Sequence, residues 1–403
     1  MLYVNASYFS SKITTHTVDL DANLIGKETN FWNWGYKSGI SVRLYPSFDD
    51  EENIYIGFSD GNMTGKVVVI DGKTYQKKRT DSFKYRIRGL AVEPNGEYGV
   101  LAWDVSQKNI NFISVSAKGS ISGTYNLPLG DNTVPLEGNG FGIGDSRLSF
   151  ANGTYHAYFH VHSSSGHEGD ALYTIKNGVV TRIWSWGCSH SMSNLLSYNE
   201  KTDTMIHVCD SDAYPGHGMF AENSRTYTLY THPANERGSS AGDLGGITTY
   251  EDGWLMIMNS YQPETGGNTY TGKQDIGLIW IGKDKKRTNV KFLTSTDDVD
   301  ELNGCIATYS VDKSFLVGYS SGSRYYLGIA DREGMMLKDF EDVTSMTKWG
   351  DRDDSFRRMK SGKIFWVHAP VDNGKQLVIT TLVPSYATMT SVVIALLAIL
   401  AFI

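Results

Sequence analysis

Seven of the ten histidines fall in one stretch: His156, His160, His162, His167, His190, His207 and His217. Around them the chain reads His162-Ser163-Ser164-Ser165-Gly166-His167-Glu168-Gly169-Asp170, then Gly187-Cys188-Ser189-His190-Ser191, then Cys209-Asp210-Ser211-Asp212-Ala213-Tyr214-Pro215-Gly216-His217-Gly218. Imidazoles interleaved with carboxylates suit two kinds of chemistry. They can hold a divalent metal, with His162, His167, His190 and His217 as candidate ligands. They can also supply a general base and acid near neutral pH. His190 and His162 are the candidates for that role, with Asp243 to orient them and Arg147 to neutralise an anionic substrate. A tight ligand spacing such as His-Glu-x-x-His is absent from the sequence. His156, His160 and His162 share one face of a strand, where packing is the plainer role. His207, inside an apolar run, reads as a core residue.

Candidate ligand-binding residues are Asp145, Asp210, Tyr261, Arg352 and Arg86. Asp145 and Asp243 share a local pattern, Gly144-Asp145 and Gly242-Asp243. The segment from Tyr261 to Asp275 also carries Gln262, Glu264, Asn268 and Tyr270. Aromatic ring faces beside planar hydrogen-bonding groups suit a sugar.

The elements that must position these residues recur. In the clearest copy, Ser146–Phe150 leads through the turn Ala151-Asn152-Gly153 into Tyr155–Val161, and Ala171–Ile175 follows after a loop. The same order appears with middle strands beginning near Ile54, Tyr98, Tyr155, Met205, Leu255, Phe315 and Ile364, 44 to 60 residues apart. In the fourth copy the third strand is expected at Arg225–Tyr230. Middle strands such as Trp254-Leu255-Met256-Ile257-Met258 are continuously apolar, which predicts burial on both faces.

Seven strand-only repeats of this length resemble the β-propeller superfamily over residues from about 14 to 383. The resemblance is one of fold. The WD40 Gly-His and Trp-Asp pair, the kelch double glycine and the sialidase aspartate box do not recur. The expected fold class is therefore all-β, a seven-bladed propeller. Radial packing explains why such sheets are stable, because it buries their faces and leaves only short outer edges. The last copy lacks an outer strand, and Thr14–Leu20, with its alternation and β-branched residues, is expected to supply it. The resemblance also implies that each blade's first strand lines a central channel. The start of that strand and the loop between the second and third strands would share one face. This would gather the candidate residues at the channel mouth.

Charge and the chain ends bound the function. Net charge is −7 with no basic run, so a nucleic-acid partner is not expected. The three cysteines match no zinc pattern. Cys188 and Cys209 could pair across neighbouring strands, but three buried reduced thiols are the expectation. Residues 1–13 read as a leader, 14–383 as the propeller, and 384–403 as a hydrophobic tail. That tail ends in a wholly apolar run of twelve residues from Val392, short of a full span. It suits a removable lipid-anchor (GPI) signal, with a tail anchor as the rival. The sequence begins without a visible signal peptide. Three readings follow. One is a membrane-anchored surface propeller binding a glycan or protein partner. The second is a histidine-dependent polysaccharide lyase or hydrolase, with a divalent metal as the possible cofactor. The third is an intracellular tail-anchored scaffold.

Overall fold

The computed structural model describes residues 7–24, 44–104, 109–129, 133–134, 146–163, 168–188, 191–211, 218–223, 227–232, 242–262, 273–311, 313–350, 355–370 and 374–384. All regular structure among the described residues is β-strand, arranged in seven antiparallel sheets. Six sheets have four strands. The third has five, because Thr133–Val134 pairs with the far end of the ten-residue strand Thr154–Ser163.

The first strands of blades 1 to 7 are Tyr45–Phe48, Arg86–Val92, Ser146–Ala151, Ser191–Asn199, Gly242–Tyr250, Leu302–Ser310 and Arg357–Arg358. From blade 1 to blade 7 each first strand contacts the next. Across the closing gap, Arg357 Nε donates to the Pro46 carbonyl at 3.3 Å. The ring is thus continuous on its inside. The apolar middle strands are buried on both faces, as in Ile54–Ser59, Tyr98–Asp104 and Gly253–Ser260.

Closure follows the sequence expectation. Ile13–Asp19 pairs antiparallel with Gln376–Leu382 and forms the outer strand of blade 7. Val18 and Leu20 then pack with Ile379, Phe365 and Ile54, so the N-terminal strand joins the core between blades 7 and 1.

Two expectations are corrected. In blade 4 the third strand is the four-residue Gly218–Ala221, and Tyr227–Thr231 is the outer strand. The apolar part of the short strand, Met219-Phe220-Ala221, is only three residues long and so does not stand out in the sequence. Second, Cys188 and Cys209 form a disulfide, with Cα atoms 6.5 Å apart. The connection leaving the outer strand of blade 3, Val179–Gly187, passes beside the second strand of blade 4, Thr204–Ser211, and brings the sulfurs together. Cys305 is reduced and buried, as expected.

The disulfide sits where apolar packing is thinnest. Among the described residues, the other blade seams hold clusters of ten or more buried apolar residues. The seam between blades 3 and 4 has five: Tyr158, Leu172, Cys188, Cys209 and Phe220. A covalent link restrains the unfolded chain where burial contributes least. No helix among the described residues is long and apolar enough to cross a membrane. The hydrophobic tail from residue 385 onward lies outside them.

Candidate functional site: the leading face of the channel

In each blade the first strand begins on the face where the second strand ends. We call this the leading face. Buried polar side chains collect there. Arg86, Arg88, Ser146, Arg147, Ser193, Asn194 and Asp243 stand at or near first-strand starts. Asp104, Asp210, Ser260 and His368 stand at second-strand ends, and Asp170 and Asp275 at or near third-strand starts. Buried polar groups must be satisfied, so these positions carry bonding networks and not isolated groups.

Among the described residues, the charges at the leading ends of the innermost strands are segregated; Arg357 and Arg358 of blade 7 pair with the start of their second strand, at the opposite end. Arg86 and Arg88 belong to blade 2 and Arg147 to blade 3, each at most 5 % exposed. The Arg88 guanidinium lies 5.6 Å from the centre of the Trp103 ring. Ser146 Oγ donates to the Arg88 carbonyl at 2.5 Å, and Arg147 Nη1 donates to the Ser146 carbonyl at 3.1 Å. The first bond ties the two arginine-bearing strands together, and the second folds the Arg147 side chain back on its own strand. Across the ring, blade 5 presents Asp243, which accepts from Ser193 Oγ and from the Leu244 amide, both at 2.8 Å. Blade 6 is preceded by buried Glu301, whose carboxyl is raised chiefly by burial, against hydrogen bonds from Thr294 and Tyr319.

Two buried imidazole–carboxylate pairs lie beneath this face. His160 Nε2 is 3.2 Å from Asp170 Oδ1, and the two residues are direct partners across neighbouring strands. Tyr158 is fully buried beside Asp170. Burial first, and then the Asp170 charge, push its phenol well above the ordinary range. In blade 4, His232 Nε2 is 3.2 Å from Asp210 Oδ1, and His232 Nδ1 is 2.9 Å from Ser260 Oγ. A carboxylate can only accept, so Nε2 of His232 carries the proton shared with Asp210. Gly242 makes room for this ring: a Cβ there would stand 2.3 Å from His232 Cε1.

The remaining described histidines of the stretch sit lower. His207 Nδ1 lies 3.2 Å from Glu222, which also binds Lys285 Nζ at 2.8 Å. Burial would raise the Glu222 carboxyl, but His207 and Lys285 outweigh it and hold it at about 2. The His156 ring is 6.1 Å from that of His207. Burial, with the charges of His207 and Lys285 added, pushes His156 down to about 4. His207 is the buried strand residue its apolar run suggests; it bonds Glu222 through Nδ1, while its Nε2 is buried without a hydrogen-bond partner among the described residues.

The candidates from the sequence divide accordingly. Asp243, Arg147, Asp210 and Arg86 are all buried at the leading face. Tyr261 follows the second strand of blade 5, and its carbonyl accepts from Tyr230 Oη at 3.2 Å and Ser260 Oγ at 2.8 Å. His162 lies on the second strand of blade 3 opposite Glu168. His167, His190, His217, Asp145 and Arg352 lie outside the described residues. Sequence reasoning passed over His232 and Ser260. Their signal was positional, since Ser260 ends a second strand as Asp210 nearly does in the preceding copy.

The sequence matches no protein-family model and no curated protein. Solved structures are similar to it in fold. The polysaccharide lyase Uly1 aligns over 93 % of this chain and 100 % of its own, at 10 % identity and a TM-score of 0.53. The Dos1 propeller aligns over 91 % and 84 %, at 11 % identity and 0.49. The WD40 domain of Toxoplasma gondii coronin aligns over 93 % and 88 %, at 9 % identity and 0.47. The chain is a β-propeller that shares the architecture of Uly1 without close sequence kinship.

Proposed function

We propose that the leading face binds an anionic glycan. The observation that carries this reading is the segregation of charge, among the described residues, at the leading ends of the innermost strands. Arg86, Arg88 and Arg147 stand on adjacent blades, and Asp243 and Glu301 stand across the channel. Guanidinium groups receive a carboxylate or sulfate in a planar, often two-pronged contact. Carboxylates accept from sugar hydroxyls. A ligand bearing both groups matches such a face better than a purely anionic or a neutral one. Display on a membrane surface through residues 384–403 belongs to the same proposal. Release by a phospholipase that cuts lipid anchors would support it, and release by neither that enzyme nor removal of the tail would oppose it.

The experiment is a binding panel of immobilised neutral, uronate-bearing and sulfated polysaccharides at two salt concentrations. Binding restricted to charged glycans and weakened by salt supports the proposal. Equal binding to neutral glycans, or none at all, contradicts it.

A second reading is favoured by the two buried imidazole–carboxylate pairs on the same face. In that reading the chain is a histidine-dependent lyase or hydrolase acting on such a glycan, with His190 or His162 as base and Arg147 neutralising the substrate. Uly1, similar in fold, is a polysaccharide lyase. Unsaturated product accumulating with wild type and lost with His190→Ala would favour it; binding without turnover leaves the binding reading in place.

A further inference from the structure

We propose that reduction of the Cys188–Cys209 disulfide creates a buried site for a divalent metal of the zinc class, with Cys188, Cys209 and Asp170 as ligands. None of its ligands is a histidine proposed from the sequence as a metal ligand, and it does not depend on the glycan reading. One ligand atom from each of the three residues lies within 4.8 Å of the other two. All three residues are at most 1 % exposed. Two thiolates and a carboxylate are ligands that zinc accepts, and three protein ligands with a fourth position open is an established arrangement for it.

The geometry needs little rearrangement. Zinc–sulfur bonds of about 2.3 Å in a tetrahedral site hold two sulfurs roughly 3.8 Å apart. The Cα atoms of Cys188 and Cys209 are 6.5 Å apart, toward the wide end of what a disulfide spans. Once the bond is broken, side-chain rotation separates the sulfurs without moving the strands. His160 Nε2, 3.2 Å from Asp170 Oδ1, is placed to orient the carboxylate as an outer partner. With both thiols protonated the three ligands carry a charge of −1, and two thiolates, one carboxylate and a dication also sum to −1, so metal binding adds no net charge to this buried seam.

The chemistry balances. A dithiol reductant attacks the disulfide, the sulfur–sulfur bond breaks, and the reductant leaves as its own disulfide. Cys188 and Cys209 each gain a proton. Metal binding then releases both protons as the thiolates coordinate. Disulfide and metal are mutually exclusive, and either one crosslinks blade 3 to blade 4 at its least apolar seam.

The test uses the full chain, purified in oxidised form and, separately, reduced with a phosphine that binds metal weakly. Each is titrated with cobalt(II) and then zinc, with thermal melting in parallel. The expected result is one metal per reduced chain, a sulfur-to-cobalt charge-transfer band, a higher melting temperature on loading, and none of these with the oxidised chain. Cys188→Ser and Cys209→Ser should abolish the band, Cys305→Ser should leave it intact, and Asp170→Asn should weaken binding at least about tenfold. A reduced chain that binds no stoichiometric metal overturns the proposal, whether it stays folded or unfolds. So does binding that survives the Cys188 or Cys209 substitutions, or that Asp170→Asn leaves unchanged.

Discussion

His232 and Asp210 face each other across 3.2 Å beneath the channel face, both almost closed off from solvent. Asp210 ends a middle strand of blade 4, His232 follows its outer strand, and the ring reaches Ser260 of blade 5 on its other side. One side chain thereby fixes the height of blade 4 against blade 5. Asp210→Ala should leave a buried imidazole donor unsatisfied and cost about 1–3 kcal/mol, read as a lower denaturant midpoint. A double-mutant cycle with Ser260→Ala should show non-additivity, because both residues bond one ring. Additive losses would mean that the ring is not shared.

Gly242→Ala tests the same relationship from the backbone. Its Cβ would meet His232 Cε1 at 2.3 Å, so the ring must move and lose its placement between Asp210 and Ser260. A stability loss similar to that of Asp210→Ala is expected, and it should largely vanish in a His232→Ala background. A full extra loss in that background would place the strain elsewhere.

Stability should fall in mild acid. His156 and His368 are each pushed down to about 4, His156 chiefly by burial and His368 by burial with the Lys348 charge added. Their folded values lie below the unfolded value, so their contribution is present above pH about 6.5 and is lost as pH falls toward 4. Each shift corresponds to at most about 3 kcal/mol. Glu222, held at about 2, adds a second loss that begins only below its ordinary value. Denaturant midpoints measured against pH should slope through this window, and His156→Gln with His368→Gln should flatten the slope between pH 6.5 and 4. An unchanged slope in the double variant would contradict the assignment.

Ring closure depends on the N-terminal strand. Val18→Asp puts a carboxylate among Leu20, Phe365 and Ile379, a burial that costs several kcal/mol if the charge is kept. A lower melting temperature is expected, with hydrogen exchange rising first in Gln376–Leu382, its pairing partner. Exchange rising uniformly, or not at all, would count against closure by this strand.

The propeller was legible because its middle strands are unmistakable. Trp254 to Met258 can be buried on both faces only between two other sheets, and the run recurs seven times. The closing strand was legible by subtraction, since Thr14–Leu20 alternates and belongs to no copy. What escaped notice was set by three-dimensional neighbours. Gly218–Ala221 has only three apolar residues, too short a run to stand out, and its pairing with Val208–Ser211 makes it a strand. The Cys188–Cys209 bond depends on where one blade's exit passes the next blade's second strand. The arginines and Asp243 were placed correctly from their positions at first-strand starts. His232 was missed because it follows an outer strand, where no channel residue is expected.

The central functional claim is that Arg86, Arg88 and Arg147 receive the anionic groups of a glycan. Calorimetric titration of a polyuronate into wild type, an Arg86→Gln/Arg147→Gln double variant and Lys338→Gln on the outer strand of blade 6 tests it most directly. The account predicts a loss of roughly tenfold or more for the double variant, read below its own melting transition where it is folded, and wild-type affinity for Lys338→Gln. Equal affinity in all three proteins would contradict it.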